Sequence, residues 1–165
     1  WRNIVTDEED GVHVNLLLNA DSPLATVTSR LPYEGVVEVR SKTSRPLVIR
    51  MPEKTDVQMA AITLNGKSHA GSWQNQNIIV EKISAGDVVE VRFPVLDEVT
   101  REILSAYKDW GLARPFVLEW RGSTIVSMEP EGEAVPLFKR EHMKAEKAPM
   151  VEKEHKTLFM DAPDW

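Results

Sequence analysis

The chain has 165 residues, a net charge of −6 and no cysteine, a length that suits one domain with a buried core. The lack of cysteine excludes disulfides, thiol nucleophiles and cysteine-ligated zinc. The acidic balance without a long basic run argues against nucleic acid as a partner, because phosphate binding needs a basic face. No stretch approaches the roughly 20 apolar residues that span a bilayer, so no membrane partner is expected.

The N-terminal part combines an acidic start with a clear strand pattern. Residues 1–10 are polar and acidic and begin in mid-pattern at Trp1, which indicates a linker from a missing upstream region. From Gly11 onward, apolar residues occupy every second position, as in a strand with one buried face. The alternating residues are Val12, Val14, Leu16 and Leu18. The pattern therefore predicts a strand in which these four side chains are buried.

Six more strand patterns follow before residue 95, and turn residues separate them. They cover residues 24–31, 36–41, 46–51, 57–64, 78–83 and 88–93. Asn65-Gly66 is a strong hairpin signal, because both residues tolerate the positive φ of a type I′ turn. Short strands at this regular spacing predict an all-β fold, an antiparallel, jelly-roll-like β-sandwich.

The spacing of the apolar residues along the chain changes after residue 96. Val99, Ile103 and Tyr107 recur every four residues, which predicts one short helix near 97–110, and an extended segment is the alternative. Asp97 is the expected N-cap of that helix.

The remaining patterns set the expected domain limits. Strand patterns return at 116–120, 124–128 and 136–140, so the β-sandwich domain is expected to cover 11–140. The mixed charges of 141–165 predict an extended, exposed C-terminal tail or a short surface helix.

No motif for catalysis, metal binding or cofactor binding is found in the sequence. The four histidines are not spaced as metal ligands, and neither a Gly-x-Ser-x-Gly elbow nor a glycine-rich phosphate loop occurs. We therefore assign no catalytic residue, no metal and no cofactor. Paired acids for glycoside hydrolysis stay open, because only their separation in space defines them.

Three aromatic residues are candidates for ligand binding. Exposed aromatic rings stack on the C–H faces of sugars. Trp73 lies at a loop or strand start, Trp120 lies between Glu119 and Arg121, and Tyr33 lies in a predicted turn. For the tryptophans, burial in a sandwich core is the competing explanation. An oligosaccharide is the ligand class that these residues indicate.

An ordered set of sequence blocks resembles a known family. The block from Gly11 to Leu17 is similar to the Gly-x-Tyr/His-Val-Asn-Leu strand that opens the β-sandwich of glycoside hydrolase family 127-like proteins, the β-L-arabinofuranosidase-like enzymes. Further blocks that resemble the family, in its order, are Leu31–Val37, Pro46–Pro52, Ile62–Lys67, Ile83–Phe93, Trp120–Val126 and Pro136–Arg140.

The resemblance implies where the chemistry lies. In that family a helical α/α barrel precedes the β-sandwich and carries the catalytic residues, a zinc-bound cysteine cluster with a glutamate. The resemblance thus implies a non-catalytic accessory domain that packs on an upstream α/α barrel of the same polypeptide. An autonomous carbohydrate-binding module is the alternative, and an independent small hydrolase is a third hypothesis.

Overall fold

The computed structural model describes residues 3–104, 114–130 and 141–147. These ranges contain fourteen strands and two short 3-10 helices, η1 and η2. The strands are β1 (Val5–Glu8), β2 (Gly11–Val14), β3 (Ala20–Asp21), β4 (Ala25–Ser29), β5 (Val36–Ser41), β6 (Leu47–Arg50), β7 (Ala61–Leu64), β8 (Lys67–Ser68), β9 (Ser72–Gln74), β10 (Asn77–Val80), β11 (Val88–Arg92), β12 (Asp97–Leu104), β13 (Arg114–Arg121) and β14 (Thr124–Glu129). The 3-10 helices are η1 (Val57–Met59) and η2 (Glu141–Lys144). No helix in the described ranges is long and apolar enough to cross a membrane.

Two sheets form the sandwich. The five-stranded sheet has the order β1-β2-β6-β10-β9, and the six-stranded sheet has the order β3-β4-β5-β11-β7-β8. Neighbouring strands are antiparallel except β2 and β6, which run parallel. The prediction of an all-β sandwich is confirmed, with this one parallel pair as the departure from a purely antiparallel arrangement.

The core lies between the two sheets and consists of β-branched residues and leucines at every second strand position. Its completely buried apolar side chains are Val12, Val14, Ala25, Val37, Val39, Leu47, Ile49, Ile78, Val80, Val89 and Val91. Each valine, leucine or isoleucine that leaves water contributes about 1.5–3 kcal/mol, so the burial of these alternating residues is the main stabilising term.

The hairpin predicted at Asn65-Gly66 is present. Both residues have positive φ, 50° and 74°, and Leu64 pairs with Lys67 across the turn. The strand predicted over 57–64 is shorter, because residues 57–59 form η1 and only 61–64 extend as β7.

A third sheet corrects the prediction of a helix near 97–110. Strands β12, β13 and β14 form a three-stranded antiparallel sheet, and all eight residues of β12 pair with β13. A spacing of four residues keeps side chains on one face in a strand as well as in a helix, because the strand period of two divides four. Pairing with β13 supplies hydrogen-bond partners for the backbone N–H and C=O groups of this segment, so it forms a strand and not a helix. Residues 105–110 lie outside the described ranges.

The first strand pattern also needs correction. β2 ends at Val14, and Leu16 and Leu18, expected to be buried, are each 50% exposed. Residues 5–8, expected within a linker, form β1 and pair with β2. Arg45 fixes this edge, since its guanidinium donates to the carbonyl oxygens of Glu8 (2.6 Å) and Glu9 (3.1 Å).

Some expectations fall outside the described residues. They are the strand over 136–140 and the part of the C-terminal tail over 148–165. Of the tail, residues 141–144 form η2, which contacts β14.

Candidate functional site

The surroundings of Trp120 bring the three-stranded sheet and the sandwich together. Trp120 pairs with Glu98 across β12 and β13, and its indole Nε1 donates to Oγ1 of Thr100 at 2.9 Å. The ammonium of Lys54, in the segment after β6, lies over the indole ring at 5.4 Å from its centroid and forms an ion pair with Glu98. At this distance a cation–π attraction operates. The N–H edge of the indole and one ring face are therefore already in contact with protein.

A groove of about 300 Å³ lies beside this cluster. Its lining residues are Asp97, Glu98, Val99, Glu119, Trp120, Arg121, Val126 and Lys144. Carboxylates and cations alternate here with apolar surface, and the lysine of this set pairs with Glu119. The volume of the groove is at the lower end of the range for small-ligand pockets. Charged acceptors and donors of this kind can hydrogen-bond the hydroxyl groups of a polyol or a sugar.

Arg121 connects three parts of the molecule. Its guanidinium donates to the main-chain carbonyl of Tyr33 at 3.3 Å and to that of Lys144 at 2.6 Å. Its Nε is buried and has no hydrogen-bond partner among the described residues. Arg121 thus joins the turn after β4, the hairpin of β13 and β14, and η2. Tyr33 contributes a carbonyl oxygen to this link.

A smaller cavity marks the same junction. It has a volume of about 40 Å³ and lies between the sandwich and the β13–β14 turn. The amide of Gly122 in that turn donates to the carbonyl of Leu96 at 2.7 Å. Space of this size accommodates water rather than a ligand.

Trp73 lies elsewhere. It pairs with Ile78 across β9 and β10 in the five-stranded sheet, and Ile78 is completely buried. Directly paired residues share a face of the sheet, so Trp73 packs against the core and is half-buried. The structure therefore links the main chain of Tyr33 to Arg121, the neighbour of Trp120 on β13, and places Trp73 at the boundary of the core.

In the part of the chain that the structure describes, three exposed carboxyl groups have lowered pKa values, each because of local hydrogen bonds. His13 Nε2 lies 2.7 Å from the Asp10 carboxylate and lowers the pKa of Asp10. Hydrogen bonds from Lys42 and then Thr26 lower the pKa of Asp21.

The third of these carboxyl groups belongs to Asp87, between β10 and β11. The Asn65 side chain donates to it at 2.8 Å and the Ser84 amide at 2.7 Å, which lowers its pKa. These hydrogen bonds stabilise turns and strand edges. Within residues 3–104, 114–130 and 141–147, no group of three or more histidine, cysteine or acidic side chains is placed to hold a metal ion.

Most of the residues around Trp120 were not identifiable from sequence. Lys54, Glu98 and Thr100 belong to segments distant from Trp120 along the chain, and none lies in a motif. The sequence shows only that Trp120 lies between the charged residues Glu119 and Arg121 in a predicted strand. The pairing of β12 with β13 decides which of them meet.

Comparisons with known proteins show similarity at the level of the fold. A crystal structure of a GH127 β-L-arabinofuranosidase from Geobacillus stearothermophilus T6 is similar with a TM-score of 0.54 and 18% identity, over 74% of this chain and 21% of that one. A structure described as a glycoside hydrolase is similar with a TM-score of 0.51 and 23% identity, over 73% of this chain and 22% of that one. No protein-family model matches, and no curated protein matches.

The chain thus spans about a fifth of the length of these structures. The fold resemblance expected from the ordered sequence blocks is confirmed: the chain has the fold of a GH127-like domain.

Proposed function

We propose that the chain is a non-catalytic accessory β-sandwich domain of a larger glycoside hydrolase-like protein. In this role it packs on a helical α/α-barrel domain that precedes it in the same polypeptide and that carries the catalytic residues. The observation that carries the proposal is the fold likeness to about a fifth of much longer glycoside hydrolase chains.

The side chains of the domain are consistent with a supporting role. Among the described residues, the three carboxyl groups with lowered pKa values owe that shift to hydrogen bonds at turns and strand edges. They also lie apart from Trp120 and the groove, at the strand edges and turns that they stabilise. In this proposal the domain contributes packing surface, and the reaction takes place on the other domain.

An activity assay tests the accessory role. We expect no release of L-arabinose from a β-L-arabinofuranoside by this chain, and release by the longer polypeptide that contains the helical domain. Hydrolysis by this chain, abolished by Glu98→Gln or Glu119→Gln, would overturn the proposal in favour of a small independent hydrolase.

A carbohydrate-binding module is the second candidate, and the groove beside Trp120 favours it. The groove combines aromatic, carboxylate and cationic residues in about 300 Å³. Since Lys54 lies over one ring face, sugar contact here rests on hydrogen bonds to the groove carboxylates more than on stacking.

Calorimetric titration with arabinose-containing oligosaccharides tests this second candidate. If the groove binds sugar, Asp97→Asn is expected to weaken binding about tenfold, because it replaces a charged acceptor by a neutral one. Glu81→Gln, an exposed change after β10, is the matched control and is expected to have no effect. No heat with any sugar would exclude the module.

A further inference from the structure

The loop between β2 and β3 presents leucines to solvent where the sequence pattern places them in the core. Leu16 and Leu18 are each 50% exposed, whereas Leu17 between them is 9% exposed and belongs to the core. Even-numbered positions are buried within β2, at Val12 and Val14. After the strand ends, the even-numbered leucines are exposed and Leu17 is buried. Positions where the tertiary structure overrides a local pattern are candidates for functional or strained sites.

Hydrogen bonds hold this loop in place at both ends. The Asn15 amide donates to the Ile4 carbonyl at 2.8 Å, and the Asn15 side chain donates to the Asn3 carbonyl at 3.1 Å. At the other end, Oδ1 of Asn19 accepts from the Ser29 amide at 2.6 Å. The two exposed leucines are therefore presented on a fixed backbone, which lowers the entropy cost of binding a partner.

The loop also lacks charge. From Asn15 to Ala20 there is no charged residue, although 28% of the chain is charged. Depletion of charge is a feature of interface centres. The uncharged polar residues Asn15 and Asn19 flank Leu16 and Leu18 along the chain.

We propose that Leu16 and Leu18 are the docking contact between this domain and the helical domain of the same polypeptide. The inference rests on the function proposed above. It commits to that occupant because of the position of the loop: Asn15, which precedes Leu16, bonds to the carbonyl of Asn3, on the N-terminal side where the proposed helical domain joins. A domain joined ahead of Asn3 enters beside Leu16. The similar solved chains contain much more polypeptide than the matching fifth.

Hydroxyl-radical footprinting measures side-chain exposure and tests the contact. We expect oxidation of Leu16 and Leu18 to be at least about fivefold slower in the longer polypeptide than in this chain, because docking removes apolar surface from water. Leu96, which is 52% exposed, is the matched internal control and is expected to keep its rate. Equal rates at the loop leucines in a polypeptide that has the helical domain would overturn the docking contact and leave the accessory role intact.

A substitution gives a second readout. The double variant Leu16→Ser/Leu18→Ser in the longer polypeptide is expected to raise the rate of proteolytic cleavage between the domains about tenfold, whereas Leu96→Ser leaves it unchanged. Circular dichroism of the double variant of this chain checks that the sandwich still folds.

The remaining outcomes also decide the question. If the longer polypeptide has no helical domain, the proposed function fails and the docking contact fails with it. A dimer of this chain that the double variant dissociates in sedimentation would assign the loop to a second copy and overturn the proposal.

Discussion

Individual residues in this domain stabilise it in two ways, by apolar burial and by local hydrogen bonds to charged groups. The apolar part follows the strand period, and Leu47 and Ile49 are completely buried between the sheets. The polar part is shown by Asp87 and Asn65. The carboxylate accepts from the Asn65 side chain, and Oδ1 of Asn65 accepts from the Val88 amide at 2.9 Å, so that one pair of side chains joins two turns of the six-stranded sheet.

Asp87 makes stability depend on pH. Because its pKa is lowered in the folded chain, its contribution is present above the ordinary value of 3.8 and is lost as the pH falls through the lower folded pKa. We expect Asp87→Asn to lower stability at pH 6 and to reduce the loss of stability on acidification. Urea-unfolding midpoints of both proteins between pH 6 and pH 2.5 measure this. Parallel pH profiles for the variant and the parent protein would contradict the assignment.

At the scale of secondary structure, close approaches of the backbone decide where elements begin. Gly35 precedes β5, and the Phe93 amide donates to its carbonyl at 2.8 Å. A Cβ at this glycine would lie 1.8 Å from the Phe93 carbonyl oxygen. No side chain fits there, so glycine is required for the chain to enter β5 beside the end of β11.

Gly35→Ala is therefore expected to lower the free energy of unfolding by about 1–3 kcal/mol through steric overlap. Gly66→Asn is the control, because nothing lies within 4 Å of a Cβ at Gly66 and asparagine tolerates its φ of +74°. Because asparagine is still less favourable than glycine at this positive φ, we expect the control to lose less than about 1 kcal/mol. Equilibrium unfolding in urea gives both values, and equal stabilities would refute the steric explanation.

In the whole molecule, the three-stranded sheet is joined to the sandwich by a small set of polar contacts. Arg121 donates to the Tyr33 carbonyl of the sandwich and to the Lys144 carbonyl of η2. Lys54 of the sandwich contacts Glu98 and Trp120 of the third sheet. Charged contacts are thus prominent at this junction, while Leu118 and Val126 supply buried apolar surface within the third sheet itself.

Removal of the Arg121 guanidinium is expected to loosen the third sheet selectively. In Arg121→Gln, hydrogen exchange of amides in β13 and β14 should become about tenfold faster, because hydrogen bonds to a charged group are lost. Exchange in β5 and β11 should stay unchanged. Arg92→Gln is the control, since Arg92 pairs with Glu90 on its own strand. Equal acceleration in both variants would contradict a joining role for Arg121.

The sequence by itself determined the fold class and most strands of the sandwich. Strand period and turn residues are local properties, and residues 36–41 form the predicted strand with the predicted limits. The ordered blocks from Gly11 to Phe93 also led to the GH127-like fold, because a family likeness depends on residue types in order along the chain.

Only the tertiary structure decided between helix and strand at 97–104, the exposure of Leu16 and Leu18, and the meeting of Lys54 with Trp120. Each of these depends on which strands are neighbours. A spacing of four residues suits a helix and a strand equally, and an apolar residue is buried only if another element covers it. Strand order sets these contacts between distant segments, and no local pattern contains it.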